Sequence, residues 1–288
     1  MQLRAALASA ISTLAAEGVP SPRMNVELLL MFTLGCDRAY LYAHPERDLT
    51  DDESNRYRAA LAERRRGVPA QYITGHQEFW GMDLIVTPAV LIPRPETEHL
   101  IETVLGLVEA GEAGKKDRPS DPMRVVDVGT GSGCIALALA KELPDALIDA
   151  TDITAAALEI ARANAARHLL ESRICFHKAD LLEGLDGLFD LIVSNPPYVG
   201  ESEEDQVQLE VRRFEPRNAV FAGPAGTEVI ERLITQANAA LQPAGWLVIE
   251  ISGTIAESVR QMLAEWDEVR IINDLQGIAR VAAARKRV

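Results

Sequence analysis

The segment best suited to chemistry is Asn195-Pro196-Pro197-Tyr198, which follows the apolar run Leu191-Ile192-Val193. Two consecutive prolines fix φ and remove two backbone donors, so the carbonyls face outward without a competing local N–H. Asn195 offers a side-chain carbonyl as acceptor, and Tyr198 offers a flat aromatic face. Together the four residues suit a planar NH2 group, held by hydrogen bonds and stacked on a ring. The competing reading is a proline-stiffened turn with a structural tyrosine, which a position after a strand of a glycine-loop fold disfavours. Asn195 cannot be a general base, because its amide has no useful proton affinity near neutral pH. Catalysis at Asn195, Pro196 and Tyr198 would therefore rest on placement, which is worth about 7–11 kcal/mol for well-oriented reactants. The Tyr198 ring can also favour a nearby positive charge. No group of His, Cys, Asp and Glu shows metal-ligand spacing, so no metal is expected.

A second constellation lies upstream. Val125-Val126-Asp127-Val128 is a short apolar strand that runs into Gly129-Thr130-Gly131-Ser132-Gly133, followed by an Ala/Leu-rich helix. Such a loop, at the carboxyl end of a strand in an open α/β sheet, is where ligands bind. Its glycines permit a sharp turn and a close approach. The spacing departs from the dinucleotide fingerprint: Gly133 comes one residue early and Cys134 takes the sixth position. The pattern D-x-G-x-G-x-G instead resembles motif I of S-adenosylmethionine-dependent methyltransferases. The next strand ends in Asp152, 19 residues beyond Gly133, where a carboxylate can accept the ribose hydroxyls of a nucleoside. A third strand ends at Lys178-Ala179-Asp180-Leu181. In methyltransferases of this kind the equivalent acid meets the adenine amino group, and the residue after it lines the adenine pocket. A ligand-free glycine turn and solvated strand-end acids are the plain alternatives for each feature alone.

The elements that must position these residues follow from periodicity. Strand candidates are Val125–Val128, Leu147–Ala150, Ile174–His177, Leu188–Ser194 and Trp246–Ile251. The helical stretches Ile135–Leu143, Ala155–Leu169, Val229–Leu241 and Ile255–Trp266 separate most of them. This alternation predicts an α/β, Rossmann-like domain, with a parallel sheet covered by helices on both faces. Residues 1–71 read as a small all-α domain. Leu3, Ala6, Leu7, Ala10, Ile11 and Leu14 fall at helical spacing and Gly18 with Pro20 ends the run; a second stretch, Val26–Leu34, stops at Gly35. A third helix starts at Thr50, whose side chain caps it, and ends near Arg64-Arg65-Arg66. Between 72 and 93, strand-prone pieces broken by Gly81 read as a hairpin linker, and 94–288 read as the catalytic domain. A helix begins after Arg94-Pro95-Glu96-Thr97-Glu98, and Gly111–Pro122 is polar and reads as a surface loop.

Composition narrows the partners. The chain has 288 residues and a net charge of −14, yet residues 1–75 carry nine Arg, no Lys and nine acids. The whole −14 therefore lies in residues 76–288, which hold 20 bases and 34 acids. A domain this acidic repels a phosphate backbone unless a basic face is segregated on it. No apolar run is long enough to span a membrane, and the amphipathic N-terminus lacks the long apolar core of a signal peptide. The three widely spaced cysteines fit reduced thiols in the cytoplasm.

Over almost all its length the chain closely resembles the release factor glutamine methyltransferases. The matching segments are Arg64 to Gly75, Glu78-Phe79-Trp80-Gly81, Leu91 to Glu98, Asp127 to Gly133, Asn195 to Val199, and Phe214-Glu215-Pro216-Arg217. The combination of I-P-R-P-E-T-E with N-P-P-Y makes the match specific. The resemblance implies a helical domain that docks the substrate protein and a class I methyltransferase domain using S-adenosylmethionine and releasing S-adenosylhomocysteine. The substrate would be the Gly-Gly-Gln glutamine of class 1 peptide chain release factors, with the target amide held by Asn195, Pro196, Pro197 and Tyr198. Asn195 would also border the cofactor, and Thr97 would lie near its methionine end. Arg94 and Glu96 are equally open to a reading as an interdomain ion pair. A monomer is expected, with no nucleic-acid substrate. Two departures stand out: Leu181 where some members have an aromatic, and Thr254-Ile255 where a glutamine is common. Two other readings share N-P-P-Y. A ribosomal-protein glutamine methyltransferase typically lacks Pro95 to Glu98, and an adenine-N6 DNA methyltransferase needs a basic DNA-facing surface. A cofactor-binding scaffold without activity should have lost Asn195 or the glycines.

Overall fold

The computed structural model describes residues 1–114 and 121–288; the centre of the polar stretch expected as a surface loop lies outside the described residues. The chain forms two compact units. One comprises Met1–His76 together with Gln208–Phe214, the other Gln77–Val207 together with Glu215–Val288. The return of the chain to the first unit at Gln208–Phe214 is not anticipated by boundaries read from the sequence.

The helical unit contains α1 (Leu3–Ala16), α2 (Pro22–Leu34), α3 (Arg38–Ala43), α4 (Asp51–Arg65) and α5 (Ala70–Thr74). Gly35 ends α2 in the left-handed conformation, where a side chain would be strained. Thr50 and Glu53 close a capping box on α4, which satisfies two otherwise orphaned N–H groups. Leu3, Leu14, Leu29, Leu30, Leu41 and Tyr57 form the core. The short α3 was not expected; Asp37 caps it by accepting from the Tyr40 N–H at 2.8 Å.

The second unit begins with the hairpin β1 (His76–Phe79) and β2 (Met82–Ile85). Its Phe79, Met82 and Leu84 are buried in the same core as the central sheet. There follow α6 (Glu98–Glu109), β3 (Arg124–Val128), α7 (Cys134–Glu142), β4 (Leu147–Asp152), α8 (Ala155–Arg167), β5 (Ile174–Lys178) and β6 (Phe189–Ser194). Next come β7 (Val199–Gly200), then α9 (Leu209–Phe214), which belongs to the helical unit, and back in the second unit α10 (Arg217–Val220), β8 (Phe221–Gly223), α11 (Glu228–Ala240) and β9 (Leu241–Glu250). The chain ends with α12 (Ala256–Met262), β10 (Asp267–Asn273) and β11 (Ala279–Arg285).

Seven strands form one sheet in the order β10-β11-β9-β6-β3-β4-β5. The pairs β9·β6, β6·β3, β3·β4 and β4·β5 are parallel. Strand β11 runs antiparallel to both its neighbours, so the sheet is mixed at one edge rather than wholly parallel as expected. The reason is a C-terminal hairpin turning at Asp274–Gly277, where the Asp274 carboxylate accepts the Gln276 and Ile278 N–H groups at 2.8 and 3.0 Å. Successive residues of each strand serve opposite cores, as period-2 geometry requires. Val125, Leu191 and Val248 pack on α6 and α7, whereas Val126, Ile192 and Ile249 pack on α11 and α12. From β3 the chain winds through β4 to β5, then crosses back to lay β6 on the other side of β3. The strand order thus reverses between β3 and β6, and ligand crevices form at such a switch point.

Candidate active site

The glycine loop leaves β3 and the Asn-Pro-Pro-Tyr segment leaves β6, so the switch point brings the two constellations together. Between them lies a cavity of about 310 Å³, at the small end of the roughly 300–1,000 Å³ typical of ligand sites. Gly129, Thr130, Gly131, Ser132, Asp152, Asp180, Leu181, Thr97, Asn195 and Pro197 all line it. Gly133, Pro196 and Tyr198 do not. Gly133 caps α7 with a φ of 85°, and a Cβ there would lie 2.6 Å from Leu137 and 3.2 Å from Ala161. Its side-chain-free backbone serves helix packing. Pro196 is buried, and Tyr198 packs against the core shared with α11 and α12.

Asp127 holds the loop from beneath. It is fully buried, accepting the Thr130 hydroxyl at 2.6 Å and the Ala136 N–H at 3.1 Å on one oxygen. Its other oxygen has no partner. Burial pushes this carboxyl up to about 7, against the lowering effect of its hydrogen bonds. Asp152 is fixed from two sides: Oδ2 accepts the Gly131 N–H at 3.0 Å, and Oδ1 accepts the Thr154 N–H at 2.9 Å and its hydroxyl at 3.0 Å. A carboxylate has about four acceptor sites, so capacity remains for a ligand hydroxyl. Asp180 forms an ion pair with Arg232 at 2.6 Å, and Arg232 also lines the cavity. Leu181 beside it adopts a φ of 56°, an uncommon conformation for a non-glycine residue. Asn164, wholly buried in α8, donates to the Ser132 carbonyl at 2.9 Å and to the Ile85 carbonyl at 3.0 Å, and accepts the Ile85 N–H at 2.7 Å. One amide thus fastens the glycine loop to the hairpin.

At the other wall, Asn195 Nδ2 donates to the Thr97 hydroxyl at 3.1 Å. Thr97 is only 1% exposed, anchored where a short helical turn feeds into α6. The Tyr198 hydroxyl donates to Glu250 Oε1 at 3.4 Å. Arg94 pairs with Glu215, not with Glu96, and Glu215 also accepts the Ile92 N–H at 3.2 Å. The ion-pair reading of Arg94 with Glu96 is therefore corrected. Its true partner lies 121 residues away in the Phe214-Glu215-Pro216-Arg217 segment. Sequence reasoning missed Asp127, Asn164, Arg232 and Glu250. Of these, Asp127 carried a visible signal, as the acid that opens the glycine motif. Among the described residues no group of His, Cys, Asp and Glu could hold a metal ion, and no helix is long and apolar enough to cross a membrane.

Residues 5–75 match the family model described as PrmC N-terminal domain, and residues 116–213 match the Methyltransferase small domain. A protein from Koribacter versatilis named release factor glutamine methyltransferase is 53% identical over 288 residues, covering 99% of each chain. One of the same name from Chlorobaculum tepidum is 41% identical over 280 residues, covering 95% of this chain and 94% of its own. Among solved structures, a methyltransferase from Pyrococcus furiosus superposes with a TM-score of 0.52 at 19% identity, covering 82% of this chain and 100% of its own. That last likeness shows the fold alone. The two full-length relatives go further: this chain belongs to the release factor glutamine methyltransferase family.

Proposed function

We propose that the protein transfers the methyl group of S-adenosylmethionine to the side-chain amide nitrogen of the glutamine in the Gly-Gly-Gln motif of class 1 release factors. The observation that carries this reading is the arrangement of Asn195. Its NH2 is committed to Thr97, so its carbonyl is left to accept an N–H from a substrate amide. An amide nitrogen is a weak nucleophile, since its lone pair is delocalised into the carbonyl. Asn195 and the backbone carbonyls of the proline pair would hold both N–H bonds, turning the lone pair toward the methyl group. Tyr198 would form the stacking wall.

The donor set of the cavity fits a nucleoside with a neutral sugar. Asp152 would accept the ribose hydroxyls, and the free side of Asp180 would accept the adenine amino group. Leu181 would give aliphatic contact to the ring, and Gly129 to Ser132 would admit close approach. Thr97 would border the methionine end. S-adenosylmethionine supplies an electrophilic methyl group on a positively charged sulfur. We read the enzyme as a cytoplasmic monomer acting on protein, consistent with an acidic catalytic half.

The test is mass spectrometry of a purified class 1 release factor incubated with the enzyme and methyl-labelled cofactor. One methyl group on the glutamine amide of the Gly-Gly-Gln loop is expected. Label elsewhere, or on oligonucleotides and not on protein, would sink the proposal.

A further inference from the structure

Asn164 is the polar exception on the buried face of α8. The other buried residues of that helix are Ala157, Leu158, Ala161 and Ala165. Asparagine is a poor residue for a helix interior, because its side chain competes for backbone hydrogen bonds. Stability of the helix alone would favour an apolar residue here. Asn164 is nevertheless wholly buried, and its carbonyl oxygen and its NH2 group are all committed to backbone groups.

Two of those bonds go to Ile85, the last residue of β2, which gives its N–H at 2.7 Å and accepts a hydrogen at 3.0 Å. Opposed residues of two antiparallel strands exchange bonds in the same two-point way. The amide thus takes the place of a strand at the end of the hairpin. Its NH2 also donates to the Ser132 carbonyl at 2.9 Å, in the glycine loop. Neither Asn164 nor Ile85 lines the cavity, but the segments they hold do. Gly129 to Ser132 form one part of the lining; Ala89, Val90 and Leu91, just after Ile85, form another. All these residues belong to the second unit.

We infer that Asn164 is a positioning residue for the cofactor: it fixes the glycine loop against the segment that follows β2, and so links cofactor affinity to the hairpin. The inference rests on the reading of this cavity as the S-adenosylmethionine site. Linkage is reciprocal, so if the clasp favours the bound form, bound cofactor must favour the closed clasp. The same helix supplies an internal control. Arg167 pairs with Asp83, and His168 Nε2 lies 2.9 Å from the Asp83 carbonyl. These contacts also hold β2 to α8, but they make no bond to the glycine loop.

The test compares S-adenosylmethionine binding by calorimetry for the wild type, Asn164→Ala, Asn164→Leu and Arg167→Ala, with kcat on intact release factor at saturating cofactor. Both Asn164 variants should raise the cofactor Kd by about tenfold or more and keep kcat within about threefold. Asn164→Leu keeps the branching and fills the space, so a packing role alone would leave its Kd near that of the wild type. Arg167→Ala cuts a partly exposed pair and should change Kd by less than about twofold. A wild-type Kd for Asn164→Leu overturns the inference, as does an equal weakening by Arg167→Ala. Should both Asn164 variants fail to fold, amide hydrogen exchange of the wild type decides. Saturating S-adenosylmethionine should slow the Ile85 amide by about tenfold or more and leave the Ile278 amide of the C-terminal turn within about twofold. An Ile85 amide that exchanges no slower with cofactor overturns the inference. If the wild type itself binds no S-adenosylmethionine, the reading of the cavity falls and this inference with it. If wild type and Asn164 variants bind it equally, this inference alone falls.

Discussion

A buried arginine in the helical unit and two buried carboxyls in the second unit differ in how fully they are paired. In the helical unit, Arg64 is 3% exposed yet has three partners: Asn25 at 2.7 Å, the Val68 carbonyl at 3.2 Å and Glu210 at 2.6 Å. Every branch of the guanidinium is used, and the pair with Glu210 fastens a segment 146 residues away to α4. In the second unit, Asp127 and Glu250 are as deeply buried, yet each leaves one oxygen without a partner. Both carboxyls are pushed up to about 7, chiefly by burial. A satisfied buried charge joins parts of a fold. A half-satisfied one is a stability cost.

Breaking the satisfied site should cost most. Glu210→Ala leaves a buried guanidinium nitrogen unpaired, and should destabilise the helical unit by about 2–3 kcal/mol. Hydrogen exchange of amides in α4 against those in β3 would report it; a uniform change in both units, or none, would contradict the role of the pair. At the cavity, Asp152→Ala should weaken S-adenosylmethionine binding by about 1.5–3 kcal/mol, the worth of hydrogen bonds to a charged group. Unchanged affinity by calorimetry would remove Asp152 from the ribose role.

The smallest effect sharpens the comparison through pH. For Asp127 and Glu250 the folded state holds its proton up to about 7, whereas their ordinary values are 3.8 and 4.5. Between those limits the folded protein binds more protons than the unfolded chain, so stability falls as pH rises and levels off above about 7. The Tm of the cofactor-free enzyme should therefore drop by on the order of 2–4 °C between pH 5.5 and pH 8 for each kcal/mol lost. Asp127→Asn and Glu250→Gln should each flatten the slope. A Tm that climbs across this window would show that other groups dominate.

Much of the architecture was legible because its signals are local. Apolar runs alternating with helical periods placed the five parallel strands, and the glycine spacing with Asn195-Pro196-Pro197-Tyr198 pointed to the strand ends that line the cavity. Strand β11 was not legible, because Ala282-Ala283-Ala284 lacks the β-branched residues that mark strands, and its state is decided by pairing with β9. Nor was the attachment of Gln208–Phe214 to the helical unit, which depends on Arg64. Glu250 was invisible for the same reason: alone it is an acid at a strand end, and only the fold brings it to Tyr198. Polar groups whose meaning comes from residues far away in the chain cannot be read one segment at a time.

The family resemblance leads to the proposal of a division of labour, in which the second unit aligns the amide and the helical unit engages the protein that carries it. Removing residues 1–71 would be a poor test, because Gln208–Phe214 would lose the unit it packs in. A direct test keeps the enzyme whole and changes the substrate. Steady-state kinetics on intact release factor should be compared with those on a short peptide bearing the same Gly-Gly-Gln sequence. Both should be methylated at the glutamine amide, with kcat within a fewfold, while KM for the peptide rises by about tenfold to a hundredfold because linked contacts are lost. Equal KM values for peptide and protein would contradict the account.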